Sequence, residues 1–368
     1  MCIECRGSMS EYNVSEILQA MREQWVSMTG MAGMFVSSIL LGLFIQPVYN
    51  FDTARAFGEE GTTKAGNILL ELVMIFLFTI LIIWLARKGL DYLIKGIVMV
   101  ALWFSLLYTI YPMTWLLVAL TDIITNGFFS DNILENFIIF GAILFSVGLM
   151  IYLNKYPEWY VVNSVGVLVG AGVITMIGIS FTPVLVIMFM TLAAIYDHWA
   201  VNKSKHMLEL ADTMIGLKLP VLLVAPKGKG YSFREQNDKI MQDEFIDSTK
   251  EKVTMPENKS RDALFMGLGD VIFPGILVIS SVTFLPEIGP IVFDFWPGSE
   301  PVYYGPMLVG LGTLVGGLFG YLALMTQVAR GKPQAGLPLL NGGSILGYII
   351  SGTIAIGFDQ LWHNITLL

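Results

Sequence analysis

Charge is what this sequence has least of. Only 14% of its 368 residues are charged and 55% are hydrophobic, against about 25% and roughly 45–50% in soluble domains. So little charge on so apolar a chain excludes an ordinary water-soluble core. Cysteine is nearly missing as well: Cys2 and Cys5 are the only two. They form a lone CxxC in an N-terminal tail that offers no further ligands. A structural zinc needs four, so they read as unpaired thiols, and no other motif calls for a metal or a cofactor. There is no basic stripe, which removes nucleic acid as a partner, and the net charge of −8 is spread over several loops. A cleavable leader is not legible either. The first apolar run starts near Trp25, without a basic n-region or a small-residue cleavage site, and reads as an uncleaved anchor.

What is present is a series of apolar blocks of about twenty residues, each long enough to cross a bilayer. Nine are legible, over residues 25–49, 68–86, 94–120, 136–153, 159–179, 183–201, 263–285, 303–325 and 337–358. Each must be a helix, because lipid offers no partner for an unbonded backbone N–H or C=O. The third contains Pro112 but counts as one span, since its halves would be too short to cross. The expectation is an all-α integral membrane protein with nine transmembrane helices: a tail over 1–24, six spans within 25–201, a loop over 202–262 and three spans within 263–368. With the N-terminus inside, the short segments carry 8 Lys and Arg on the cytoplasmic side against Arg55 and Lys64 outside. The positive-inside rule then puts the N-terminus in the cytoplasm and the C-terminus outside.

The loop between the sixth and seventh spans is the one sizeable soluble element. Over 204–217 its apolar residues recur at helical spacing, as in an amphipathic helix lying at the interface. After Pro220, residues 221–224 read as a short strand, 226–230 as a turn, and 231–233 as a returning strand of a hairpin. Residues 234–261 read as a flexible linker.

Ionisable residues inside spans are costly and point to function. The acidic ones are Glu71, Asp197 and Asp270. Glu71 lies about one turn from the outer end of its span, where an interfacial charge explains it. Asp197 and Asp270 lie near the inner ends of consecutive spans, at matched depth, with no membrane Lys or Arg to pair them. Two carboxyls that share a site cannot both ionise, so one stays protonated and the other charged. The ionised member can take a proton from water as it attacks a peptide carbonyl, and the protonated member can donate to the oxyanion. If the seventh span is helical from residue 263, Gly267 and Ala263 leave the face below Asp270 bare of bulk. Pro274 lacks the N–H that would bond the Asp270 carbonyl.

Tyr196-Asp197 and Gly267-Leu268-Gly269-Asp270 are similar to the YD and GxGD motifs of the presenilin and signal peptide peptidase family. Ala335-Gly336-Leu337-Pro338 falls where that family has its Pro-Ala-Leu motif; here Ala335-Gly336 stands for the leading Pro-Ala, while Leu337-Pro338 keeps the Leu-Pro of presenilin. The run from Gln334 to Gly343 and Tyr156-Pro157-Glu158-Trp159-Tyr160 resemble archaeal presenilin homologues. The resemblance implies an intramembrane aspartyl protease of the cell membrane with Asp197 and Asp270 as its catalytic pair on the cytoplasmic side. It implies substrate contacts from Tyr196, Gly267, Leu268, Gly269, Gly336, Leu337 and Pro338. It also implies single-span membrane proteins or membrane peptides as substrates, with an outside N-terminus, and activity in the bilayer without accessory subunits. The same two aspartates on broken helices would also suit a proton- or cation-coupled transporter or channel, but no paired internal repeat is visible. A helical substrate must be unwound to be cut, and its bared backbone needs new partners. A strand edge over 219–225, with Leu222 and Val224 at its centre, is the candidate for that role by β-augmentation.

Overall fold

The computed structural model describes residues 14–56, 58–125, 131–199, 220–228, 231–233, 263–296, 299–328 and 336–362. The cysteine pair, the amphipathic helix expected over 204–217, the linker over 234–261, Ala335 and the Glu71 side chain lie outside the described residues. The described chain is mostly helical: α1 Val14–Ile45, α2 Ala65–Arg87, α3 Asp91–Thr125, α4 Asp131–Lys155, α5 Trp159–Gly178, α6 Pro183–Trp199, α7 Leu268–Phe284, α8 Tyr304–Val328 and α9 Leu337–Ala355. Four short strands accompany them: β1 Leu222–Pro226, β2 Ala263–Gly267, β3 Ile291–Phe293 and β4 Val302–Tyr303. Among the described residues six helices are long and apolar enough to cross a membrane, and α6 and α7 are apolar but shorter. α3 runs unbroken through Pro112, as one span. Large apolar side chains face outward, with Leu144 and Ile354 each more than three-quarters exposed at 76% and 77%. A perimeter of this kind suits acyl chains rather than water.

α5 is the hub, packed against α1, α3 and α7. Its inner face is small, so neighbouring backbones come close. A Cβ added at Gly172 would run into the Ser105 carbonyl of α3, and one at Gly178 would lie 2.5 Å from Ile279 Cβ of α7. Hydroxyls then reach the α5 carbonyls directly. Ser38 of α1 donates to Val167 O at 3.1 Å, while Ser105 and Thr109 of α3 donate to Val169 O at 2.8 Å and Leu168 O at 2.7 Å. Between helices in lipid, where burial gives no extra drive to associate, close packing and such bonds hold the bundle.

α8 and α9 meet almost backbone to backbone. Gly312, Gly316 and Gly320 on α8 oppose Gly343 and Gly347 on α9, and a Cβ at Gly316 would fall on the Gly343 carbonyl. At Gly320 the neighbour is the first turn of α9 itself, the Leu339 carbonyl and Leu340 Cα. The Tyr321 hydroxyl donates to Met28 O at 2.8 Å and ties α8 to α1. The spacing of these helices therefore sets where α9 begins.

Two expectations are corrected by β1 and β2. Residues 263–267 are not the first turns of a helix; they are a strand, paired antiparallel with β1 from Leu222 opposite Gly267 to Pro226 opposite Ala263. Gly267 and Ala263 thus do not stack below Asp270 on a helical face. Residues 231–233 are not the returning strand: Phe233 is buried and the Ser232 hydroxyl donates to Glu158 Oε1 at 3.1 Å. The partner of β1 comes instead from beyond residue 262, where the chain returns extended before it enters α7.

Candidate active site

The two aspartates meet where three helix ends converge. α6 carries Asp197 in its last turn. α7 starts at Leu268, with Gly267 as its N-cap and Asp270 in its first turn. α9 starts at Leu337, with Gly336 as its N-cap and Pro338 in its first turn. Asp270 is therefore the third residue of its helix rather than some two turns inside it.

Each carboxylate is held by a backbone N–H at the start of a helix. Asp270 accepts from the N–H of Gly267, the reach-back of a third-position carboxylate to the N-cap amide. Asp197 is buried, at 7% exposure, and accepts from the N–H of Leu337. The first N–H groups of a helix have no partner within it, and the positive end of the helix dipole favours an anion there. Pro338 has no N–H to offer, so Leu337 is the residue that presents one to Asp197. The two carboxylates are close enough for their charges to interact.

Gly336 closes the arrangement. A Cβ there would lie 2.9 Å from Asp270 Oδ2 and 3.0 Å from Oδ1. One dipeptide of α9, Gly336-Leu337, thus touches Asp270 and bonds Asp197. Asn341, one turn further along α9, donates from Nδ2 to the Met190 carbonyl of α6 at 2.9 Å and fixes α9 against the helix that bears Asp197. The Asp270 carbonyl lacks its usual acceptor role toward residue 274, because Pro274 lies within α7. Chemically, the arrangement offers two carboxyls that can share one proton beside the start of a helix that lacks one backbone bond at the acid.

The two glycines before Asp270 are not required by their backbone. Gly267 has φ −60° and ψ 138°, which any residue adopts. A Cβ at Gly269 would meet nothing within 4 Å, and one at Gly267 would meet only the Asp270 carboxylate, 3.6 Å from Oδ2. Their smallness leaves room over the aspartate. Leu268 is buried in the core, and the Tyr196 ring, half-buried, lies 6.2 Å from that of Trp199.

The edge of β1 expected to be exposed is occupied. Val224 is fully buried; its carbonyl accepts from Asn163 Nδ2 at 2.7 Å and its N–H donates to Asn163 Oδ1 at 2.8 Å. Leu222 is half-buried at the end of the strand. Asn163 and Asn341 carry no charge, so the cost of burying an ionisable group in a span does not mark them. A polar amide in an otherwise apolar run is the signal that does.

A sequence model of the family described as signal-peptide peptidase, presenilin aspartyl protease matches residues 31–358. Two solved structures, both of a presenilin family intramembrane aspartate protease, one in space group C222 and one in P2, resemble the chain. Their TM-scores are 0.52 and 0.53 and their identities 26% and 27%, over 90% of this chain and 100% of theirs. No curated protein gave a match. The motifs, the junction of α6, α7 and α9 around two carboxylates, and the match over most of the chain lead to one conclusion: this multi-pass membrane protein belongs to the signal-peptide peptidase and presenilin aspartyl protease family and is an intramembrane aspartic protease.

Proposed function

We propose that Asp197 and Asp270 are the catalytic pair that activates water to cut membrane-protein substrates within the bilayer. The observation that carries this is the Gly336-Leu337 dipeptide, which lies against the Asp270 carboxyl and bonds the Asp197 carboxyl. One carboxyl, ionised, takes a proton from the attacking water, and its protonated neighbour donates to the carbonyl oxygen as it gains charge. The test is cleavage of a single-span substrate by purified protein. Asp197→Ala and Asp270→Ala should each abolish turnover while the protein stays folded, and near-normal turnover by either would sink the pair.

α2 and the short helices α6 and α7 complete a set of nine spans with the six long apolar helices α1, α3, α4, α5, α8 and α9, the N-terminus in the cytoplasm and the C-terminus outside. Residues 1–24 are then the cytoplasmic tail and residues 202–262 the cytoplasmic loop between the first six spans and the last three. The Lys and Arg balance of the short loops supports this orientation, which puts the aspartates near the cytoplasmic face of the cell membrane. Substrates are single-span proteins or membrane peptides with an outside N-terminus, cut without accessory subunits. Gly267 and Gly269 leave space over Asp270 for a substrate backbone, and Tyr196, Leu268 and Gly336 to Pro338 border it. The unwound substrate adds to the β1–β2 sheet on the side of β2, because the far edge of β1 is engaged at Val224 by Asn163. Leu222 and Val224 then act through β2, as the strand that supports it.

A further inference from the structure

The sheet beside the aspartates has two edges, and helices have taken one of them. The Leu268 N–H donates to the Val221 carbonyl at 2.9 Å, and the register pairs Leu223 with Met266 and Ala225 with Leu264. Backbone groups alternate in direction along an antiparallel strand. Those of Val221, Leu223 and Ala225 therefore face β2, and those of Leu222, Val224 and Pro226 face away from it. Asn163 of α5 bonds both groups of Val224. Ser27 of α1 donates to the Pro226 carbonyl at 2.6 Å, and Pro226 has no N–H. From Val224 onward this edge is completed by side chains.

A primary amide offers one acceptor and one donor side by side, as a peptide group does. Asn163, 7% exposed among the valines and glycines of α5, makes the contacts that a third strand would make at Val224. Without it, the N–H and the C=O of the fully buried Val224 would both be left without a partner, and an unpaired buried backbone group is costly. The consequence reaches the aspartates. β2 runs without interruption into Leu268, Gly269 and Asp270, so the height of the sheet on α5 is also the height of its open edge relative to Asp270. On that open edge no described residue bonds the outward N–H or C=O of Phe265.

Resting on the reading that substrate adds to β2, we propose that Asn163, with Ser27, stands in for a third strand on β1 and so sets the register in which a substrate strand reaches the two aspartates. Asn163 is a positioning residue: it touches neither substrate nor aspartate. Losing it would let the sheet move against α5 while the carboxylates keep their own bonds to Gly267 and Leu337. The choice of scissile bond, rather than the chemistry, would be disturbed.

The experiment maps the bonds cut in a single-span substrate by mass spectrometry and measures kcat and KM in detergent. Wild type is compared with Asn163→Ala, Asn163→Gln and Ser27→Ala. Asn163→Ala is expected to spread cleavage over neighbouring bonds and raise KM about fivefold or more, the scale of one hydrogen bond's net contribution. Binding of a transition-state analogue at the dyad should change less than about twofold. Asn163→Gln, which keeps the amide on a longer stem, should restore a narrow set of products, and Ser27→Ala should spread them less. Unchanged bonds and KM in Asn163→Ala would overturn the proposal. So would a uniform fall in kcat with bond choice intact and no recovery in Asn163→Gln. If Asn163→Ala does not fold, Ser27→Ala decides, and unaltered products there overturn it. Substrates N-methylated along the docking segment separate this from the reading beneath it. If they are cut normally by wild type, docking on β2 fails and the proposal falls with it. If they resist cleavage while Asn163→Ala keeps its bonds, only the role of Asn163 falls.

Discussion

Gly320→Ala adds a single methyl group on α8, away from both aspartates, and should still cripple the enzyme. A Cβ at Gly320 would lie 3.0 Å from Leu339 C and 3.0 Å from Leu340 Cα, both backbone atoms of the first turn of α9. Carbon atoms rest at about 3.5–4.0 Å, so α9 must withdraw by roughly 0.5–1 Å at its N-terminal end. That turn carries Gly336 and Leu337, whose contacts with Asp270 and Asp197 are set at the scale of a hydrogen bond. A misplacement near 1 Å costs about 10²-fold in rate, and crowding a packed contact costs roughly 1–3 kcal/mol of stability. The assay is kcat and KM on a single-span substrate, beside a thermal unfolding curve in the same detergent. We expect kcat to fall by about 10- to 100-fold, with a lowered but cooperative unfolding transition. Gly342→Ala is the control on α9, because a Cβ there meets nothing within 4 Å, and it should keep activity within about twofold. Wild-type kcat in folded Gly320→Ala would refute the idea that the α8–α9 spacing places the dipeptide on the dyad.

Leu337→Pro removes the N–H given to Asp197 at a helix position that tolerates proline. The loss of a bond to a charged group, about 1.5–3 kcal/mol, predicts a fall in kcat of roughly ten- to a hundredfold; an unaltered kcat would show that this bond does not matter to turnover. Phe265→Pro removes an outward N–H from β2 and spares the bonds to β1, as an edge position allows. Long substrates should be cut poorly, while a transition-state analogue still binds; normal cleavage would move the docking edge elsewhere. Rate against pH should be bell-shaped, because below both titrations the pair holds two protons and has no base, and above both it holds none and has no acid. A flat profile over a broad range in folded protein would exclude a shared proton.

The membrane class, the apolar blocks and the two aspartates were legible in the sequence because each is a local property. Lipid forces a helix on an apolar run of sufficient length, and an acid inside such a run stands out by its cost. Three short motifs in order then identified the family. Residues 263–267 were not legible, since a short apolar run reads equally well as helix or strand, and the choice fell to β1, separated from it by a long loop. For the same reason the partner of β1 is expected at 231–233 and lies instead at 263–267. That Leu337, rather than a side chain, bonds Asp197 depends on where α9 begins, and the backbone contact of α8 with α9 decides that. Asn163 looked like one polar residue in a span, and only the tertiary structure puts it on Val224, 61 positions away. Composition and period act within a segment and can be read along the chain. Edge pairing and helix spacing are set by contacts between distant segments, so the sequence names the aspartates and the tertiary structure decides what holds them.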